Sequence, residues 1–252
     1  MTINYSDLTS DEIRDAAQAD AVLVLPVGCT EQQGPHLPVD NDSFLISAFV
    51  TGAARLAQQE GIRVYLLPLL PYGPAEEHMA FPGTISISAE THARLVGEVL
   101  DSLVTHGFRR LVVAEGCGGH QLYHACLEAR ARARQQGKDV MVWRIPAGGD
   151  AWLPLVREAF GEAPAPPDFH GGEVATSINL HLRREAVRQE KLAKPDQKSP
   201  SGRHLVWFTD ELTDVGAGGD ARKASAEAGR KLVEGIVQLY LEHLRTAAAT
   251  PL

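Results

Sequence analysis

Between positions 31 and 42 the chain carries Glu31, His36, Asp40 and Asp42, directly after the apolar run Val24-Leu-Pro-Val27 and the link Gly28-Cys-Thr30. Carboxylates and an imidazole crowded where a buried strand ends could hold a divalent metal or move protons, and open α/β sheets place their sites at that end. The same residue types are common in turns, so a solvated polar loop is the competing reading. Two later segments also put reactive side chains at the end of an element: Glu115-Gly-Cys-Gly-Gly-His120 and His170-Gly-Gly-Glu173. Glu31 with Asp42, Cys117 with His120, and His170 with Glu173 together supply carboxylate, thiolate and imidazole. That mixture suits Zn²⁺ better than Mg²⁺ or Ca²⁺, which take oxygen shells. In hydrolysis such a metal activates water and polarises a carbonyl, while a carboxylate or His moves the proton.

Each of these readings has an alternative. A strand, a glycine-rich turn and a helix also build phosphate loops, but Glu115 would repel a phosphate and no Lys follows His120. Cys117 could be a buried apolar thiol rather than a ligand. His36 reads as a residue holding a carboxylate from behind the site, and His78 as a hydrogen bonder on the substrate side. His92, His106, His124, His181, His204 and His243 have no partner pattern and read as ordinary. Among the three Trp residues, Trp152 follows the loop Pro146-Ala-Gly-Gly-Asp150 and could cover a flat ligand, whereas Trp143 and Trp207 read as core.

Strands and helices alternate around these loops. Ser10 begins a capped helix, and Asp20 to Val27 is a strand apolar enough for burial on both faces. Asp42 to Glu60 has apolar residues at helical spacing and ends at Gly61, and Arg63 to Pro68 is the next strand. This βαβ order implies a parallel pair with a right-handed crossover. A long loop from Pro71 to Thr84 contains Glu76, Glu77 and His78. It is followed by a helix (Ser88 to Gly107), a strand (Arg110 to Ala114), a helix (Gln121 to Gln136) and a strand (Asp139 to Arg144). The proline-rich Ala163 to Asp168 reads as a connector and the polar Lys191 to Gly202 as an excursion. Asp220 is expected to cap a long C-terminal helix. The expected fold class is α/β, a single three-layer α/β/α domain over 1–252 with a mostly parallel central sheet.

Composition narrows the classes. The 252 residues are 44% apolar and 22% charged, ordinary for a globular chain with a full core. A net charge of -8 argues against a nucleic-acid partner. The one basic cluster, Arg130-Ala-Arg-Ala-Arg134, reads as a solvated helix face. No segment approaches the roughly 18 consecutive apolar residues of a membrane span, and the first residues lack a basic and then apolar leader pattern, so no membrane partner and a cytoplasmic location are expected. Cys29, Cys117 and Cys126 are unpatterned, which suits reduced thiols better than a disulfide framework.

Pro26 to Asp42 resembles the first signature of the creatininase (creatinine amidohydrolase) family, Pro-x-Gly-(Ser/Thr)-x-Glu-Gln-His-Gly-Pro-His-Leu-Pro followed by an Asp. Tyr72 to Thr84 is similar to a second family segment. Glu115 to His120 is similar to a third, where the family reads Asn-Gly-His-Gly-Gly-Asn. His170 to Ser177 and Gly216 to Gly229 resemble two more. The resemblance implies the creatininase fold, a homo-oligomer such as a hexamer, and two metals held by a Glu, a bridging Asp and His residues of the first and third segments. Carried onto this chain, Glu31 and Asp42 are kept, while Gln33 and Cys117 stand where the family has His. Glu115 and His120 stand where it has Asn, and Ala175 where a Glu is expected. These departures point to one well-held zinc, with Mn or Fe as variants, bound by Glu31, Asp42, Cys117 and His120. His170 and Glu173 would be catalytic, and His78, Gln33 and Trp152 would face the substrate.

The function expected is a metal-dependent amidohydrolase acting on a cyclic amide or other carbon–nitrogen bond of a small polar molecule, with a lactone as an allowed variant. Two alternatives stay open: an isomerase or lyase on a keto-sugar-like substrate, with Glu173 abstracting a proton, and a non-catalytic small-molecule binder on the same scaffold.

Overall fold

A computed structural model describes residues 2–161, 168, 170–194, 196, 198 and 206–252. In chain order the regular elements are α1 (Ser10–Gln18), β1 (Val22–Val27), α2 (Asn41–Gln59), β2 (Val64–Leu66), α3 (Ala89–Thr105), β3 (Arg110–Glu115), α4 (Tyr123–Gln135) and β4 (Met141–Ile145). They continue with α5 (Leu153–Phe160), α6 (Glu173–Leu182), the single turn α7 (Thr209–Leu212) and α8 (Ala226–Ala249). Among the described residues, four strands form one all-parallel sheet in the order β2-β1-β3-β4. The α/β layering expected from the sequence is therefore present. Five residues of the proline-rich connector, 163–167, and residues 195, 197 and 199–202 of the polar excursion lie outside the described residues, as does His204.

The continuous apolar runs of β1 and β3 follow from burial on both sides. In β1, Val22 and Val24 pack into one hydrophobic cluster, while Leu23, Leu25 and Val27 pack into the other. In β3, Val112 and Ala114 face the first cluster, and Leu111 and Val113 the second. Successive side chains of a strand point to opposite faces, so a sheet covered by helices on both sides needs apolar residues at every position. One cover consists of α2, α5 and α8, with Phe49, Ile236 and Tyr240 in its interior. The other consists of α1, α3 and α4, with Val96, Leu100 and Ala129.

Local chemistry sets where the helices start. Thr9 and Glu12 form a reciprocal capping box at α1, and Ser88 caps α3 by accepting from the Thr91 amide. The expectation that Asp220 caps the long C-terminal helix is corrected. Asp220 accepts from the Arg222 amide and caps only a short 3₁₀ turn, while Ser225 accepts from the Ala228 amide at the true start of α8. The helix α2 lacks a side-chain cap because its first turn serves the site.

The sheet order reverses between β1 and β3, so the crevice outside their carboxyl ends is the switch point of the fold. Both strands run out through a glycine that lets the backbone touch the start of α2. A Cβ on Gly28 would lie 2.4 Å from Ser43 Oγ, and one on Gly116 would lie 2.9 Å from the Asp42 carbonyl oxygen. Any side chain at either position would push the strand ends away from Asp42.

The crossing of α6 and α8 is equally tight, since a Cβ on Gly229 would fall 1.9 Å from the Ser177 carbonyl oxygen. Elsewhere in a helix Gly→Ala gains about 1 kcal/mol. Here the overpacking should outweigh that gain, and Gly229→Ala should lose about 2 kcal/mol of stability in urea unfolding. A stabilised variant would show that the two helices separate freely.

Candidate metal and proton-transfer site

The carboxyl ends of β1 and β3, the first turn of α2 and the segment before α6 enclose a cavity of about 630 Å³. Glu31, Gln33, Asp42, Cys117, His78, His170, Trp152, Trp207, Glu77, Asp150 and Asp168 are among its lining residues. Glu31 is the hub. Its Oε2 accepts from Cys117 Sγ at 3.4 Å, and its Oε1 accepts from Gln33 Nε2 at 3.2 Å. The same Gln33 nitrogen donates to Asp42 Oδ1 at 3.2 Å, so one neutral amide spans both carboxylates. Asp42 Oδ1 also accepts from Asn41 Nδ2 at 2.9 Å. Asn41 Oδ1 in turn accepts from Asn179 (2.6 Å), and Asn179 Oδ1 accepts from Arg183 Nε (2.7 Å). A line of side chains thus runs from the mostly buried Arg183 to the site.

Two histidines flank Glu31 Oε1. His170 Nδ1 lies 3.6 Å from it and His78 Nε2 lies 3.8 Å away, with the two rings stacked at 4.0 Å between centroids. Hydrogen-bond partners assign their tautomers. His170 Nε2 faces the Gln32 carbonyl, which can only accept, so the proton is on Nε2 and Nδ1 offers a lone pair toward Glu31. Gln32 Oε1 accepts from the Gly34 amide, and Gln32 Nε2 donates to the Gly216 carbonyl and to His78 Nδ1. His78 therefore carries its proton on Nε2, toward the cavity, and Thr209 Oγ1 sits 2.7 Å from its Nδ1. Burial pushes His170 down to about 4 and His78 down to about 2, the latter with help from its neighbour, so both rings are neutral near pH 7. One is a proton acceptor and the other a hydrogen-bond donor.

The acidic groups are shifted the other way. Burial, followed by Cys117 and Asp42, holds Glu31 well above the usual carboxylate range, and burial also raises Asp42. Cys117 is pushed well above an ordinary thiol, first by its contact with Cys29 and then by burial. Such a set releases its protons readily only to a cation. The ligand atoms of Cys29, Glu31, Asp42 and Cys117 all lie within 4.8 Å of one another, and all four residues are buried. Sulfur and carboxylate donors at this spacing fit Zn²⁺, with Mn²⁺ able to use the carboxylate side.

Several sequence expectations need adjusting. Glu173 is absent from the cavity lining among the described residues. Its Oε2 accepts from the Asp220 amide at 2.7 Å, which fixes a loop, so a catalytic role for Glu173 does not fit the geometry. Asp168 lines the wall in its place, pushed up to about 7 by burial. His36 holds no carboxylate; its Nε2 pairs with Thr176 Oγ1 at 2.9 Å. His120 is buried behind Cys117 with its Nε2 3.1 Å from Cys29 Sγ, and it does not reach the cavity. Glu115 is ion-paired with Arg144 and does not meet the metal-ready group. Gln33 and Trp152 do line the cavity. Cys29, Thr209, Asp168 and Trp207 were not singled out as site residues. For Cys29 a signal existed, because residues i and i+2 of an extended chain share a side and Glu31 is two positions on.

A doubly wound α/β protein with a buried carboxylate–thiol–imidazole crevice at its switch point has the donor set of a metal site. The profile of the creatininase family, described as creatinine amidohydrolase, matches residues 6–244. The chain belongs to this family of metal-dependent amidohydrolases. It is 32% identical over 228 residues to a mycofactocin precursor peptide peptidase of Mycobacterium tuberculosis, covering 85% of this chain and 81% of the relative. It is 25% identical to a 3-dehydro-scyllo-inosose hydrolase of Thermotoga maritima, covering 96% and 82%. Among solved structures, a creatinine amidohydrolase superimposes with a TM-score of 0.83 at 25% identity over 99% of both chains. Among the described residues, no helix is long and apolar enough to cross a membrane.

The burial of His36 has a measurable consequence. Its pKa is held at about 4 by burial, against about 6.5 in an unfolded chain. The stability it contributes is present above pH 6.5 and is lost as pH falls toward 4, where the unfolded chain takes up the extra proton first. Urea midpoints between pH 7 and 4.5 should therefore fall less steeply for His36→Gln than for wild type, by about one proton. Equal slopes would mean that His36 is already charged in the native state.

Proposed function

We propose that the protein is a single-metal hydrolase of a cyclic amide, or of another carbon–nitrogen bond, in a small polar molecule, with a lactone as the allied ester substrate. The observation that carries this reading is the double engagement of Glu31, whose Oε2 faces Cys117 while its Oε1 faces His170 and His78. Glu31, Asp42 and Cys117 would hold the ion, with a water completing the shell. The chemistry a divalent ion supplies there is polarisation of a carbonyl and activation of water. His170 Nδ1 takes the proton from the attacking water and can return it to the leaving nitrogen. His78 Nε2–H donates to the substrate's polar edge, and Trp152 and Trp207 bound the flat faces. Gln33 fills, with a neutral donor, the place between the carboxylates that a second ion would need.

Glu31, Asp42, Glu77, Asp150 and Asp168 line the cavity, and among the described residues no Lys or Arg does. That lining favours a neutral or cationic substrate over a carboxylate or phosphate. The second reading is an isomerase or lyase on a keto-sugar-like substrate; the Thermotoga maritima relative, a 3-dehydro-scyllo-inosose hydrolase by name, favours hydrolysis over it. A panel of lactams, lactones and keto-sugars, run beside metal analysis of protein purified without chelator, tests both. No turnover together with no bound metal would favour a non-catalytic binder instead. We further propose a cytoplasmic homo-oligomer, a hexamer first; a monomeric mass in light scattering would contradict it.

Cys117→Ser should lose most of the bound metal, because a hydroxyl is not deprotonated at neutral pH as a coordinated thiol is. Cys117→His with Gln33→His should take up a second ion, read as metal per chain by elemental analysis. Two ions in the wild type, or full retention in Cys117→Ser, would refute the single-ion assignment.

A further inference from the structure

Cys29 stands at the Ser/Thr position of the family's first signature and is outside the ligand set proposed above, yet it is fully buried beside Cys117, behind the cavity wall. Its sulfur belongs to two compact groups, one with Glu31, Asp42 and Cys117 and one with Cys117 and His120. In a tetrahedral zinc site, metal–sulfur bonds of about 2.3 Å and metal–oxygen or –nitrogen bonds of about 2.0–2.2 Å set neighbouring donor atoms roughly 3.4–3.8 Å apart. The 3.4 Å from Cys117 Sγ to Glu31 Oε2 is such an edge. Space for the second sulfur is built into the fold. A Cβ on Gly73 would lie 2.5 Å from His120 Nε2 and 3.3 Å from Cys29 Sγ, so only glycine leaves both side chains in place. The backbone behind Cys29 is pinned as well, its carbonyl accepting from Ser43 Oγ at 2.8 Å.

We propose that Cys29 is a metal ligand, so that the ion beside Glu31 and Asp42 would sit between two thiolates, Cys29 and Cys117, would take water or substrate only as a fifth donor, and would be a thiophilic ion such as Zn²⁺ rather than Mn²⁺. The inference rests on the single-ion reading above and extends its ligand set. Both thiols give up their protons on binding, as coordinated thiols do. His120 then acts as a positioning residue, its Nε2–H donating to the Cys29 thiolate at 3.1 Å. Two soft donors explain why a site that keeps the carboxylates of a harder ion would favour zinc.

X-ray absorption at the zinc edge of the as-purified protein counts the sulfurs directly and needs no variant. Two sulfurs at about 2.3 Å are expected. After exchange to Co²⁺, the thiolate-to-metal charge-transfer band should fall to about half in Cys29→Ser and in Cys117→Ser alike, since each removes one of two thiolates. A shell with one sulfur, or an unchanged band in a Cys29→Ser protein that binds Co²⁺, overturns the role of Cys29 and leaves the single-ion reading standing. A zinc shell without sulfur, or a wild-type protein that holds no ion, removes both. Should Cys29→Ser fail to fold, the wild-type sulfur count decides alone.

Discussion

Burying Glu31, Asp42, Cys29 and Cys117 in one crevice is the constraint on which the surrounding structure depends, because burial makes all four harder to ionise. The chain meets this cost with dipoles. The Gln33 amide spans the two carboxylates, Asn41 donates to Asp42, and Asp42 lies in the first turn of α2, where unpaired N–H groups favour negative charge. Gly28 and Gly116 let the ends of β1 and β3 reach that helix terminus. The topology brings the acids together, and the polar side chains around them make the gathering tolerable.

The same crevice separates two kinds of chemistry across a single carboxylate. On one side of Glu31 lie sulfur and Asp42; on the other lie two neutral imidazoles whose protons are fixed by Gln32. Because Gln32 uses its backbone carbonyl on His170 and its side chain on His78, one residue sets one ring as acceptor and the other as donor. That division of labour needs no charged histidine and no flexible loop.

Much of the scaffold was legible in the sequence. The unbroken apolar runs of β1 and β3 announced a sheet covered on both faces, and the helical spacing of Leu45, Phe49, Ala53 and Leu56 announced α2. The order of the strands was not legible, since it depends on which helix covers which face. In the site, Glu31, Asp42 and Cys117 stood out because they end strands or begin a helix. Asp168 and Trp207 did not, because they are brought to the cavity by tertiary packing from distant segments, nor did Thr209, which meets the site only through His78. Glu173 misled because a carboxylate in a glycine-rich helix start looks catalytic, whereas its oxygen is spent on the Asp220 amide. Asp220 misled for the related reason that a capping side chain names a turn but not how long the turn continues.

The line from Arg183 through Asn179 and Asn41 to Asp42 does more than satisfy polar atoms. Arg183 also grips Asp40 with two hydrogen bonds of 2.8 and 2.9 Å and lies 3.7 Å over the Phe44 ring. The end of α6 is thereby tied by side chains to the start of α2, and these two helices carry or follow Asp42 and His170. The cavity walls opposite these helices include the Gly148-Gly149 turn before Trp152 and the segment carrying Trp207, where a change of residue would alter the size of substrate admitted. Swapping those walls while leaving the two helices untouched is how this scaffold could change what it accepts without disturbing how it reacts.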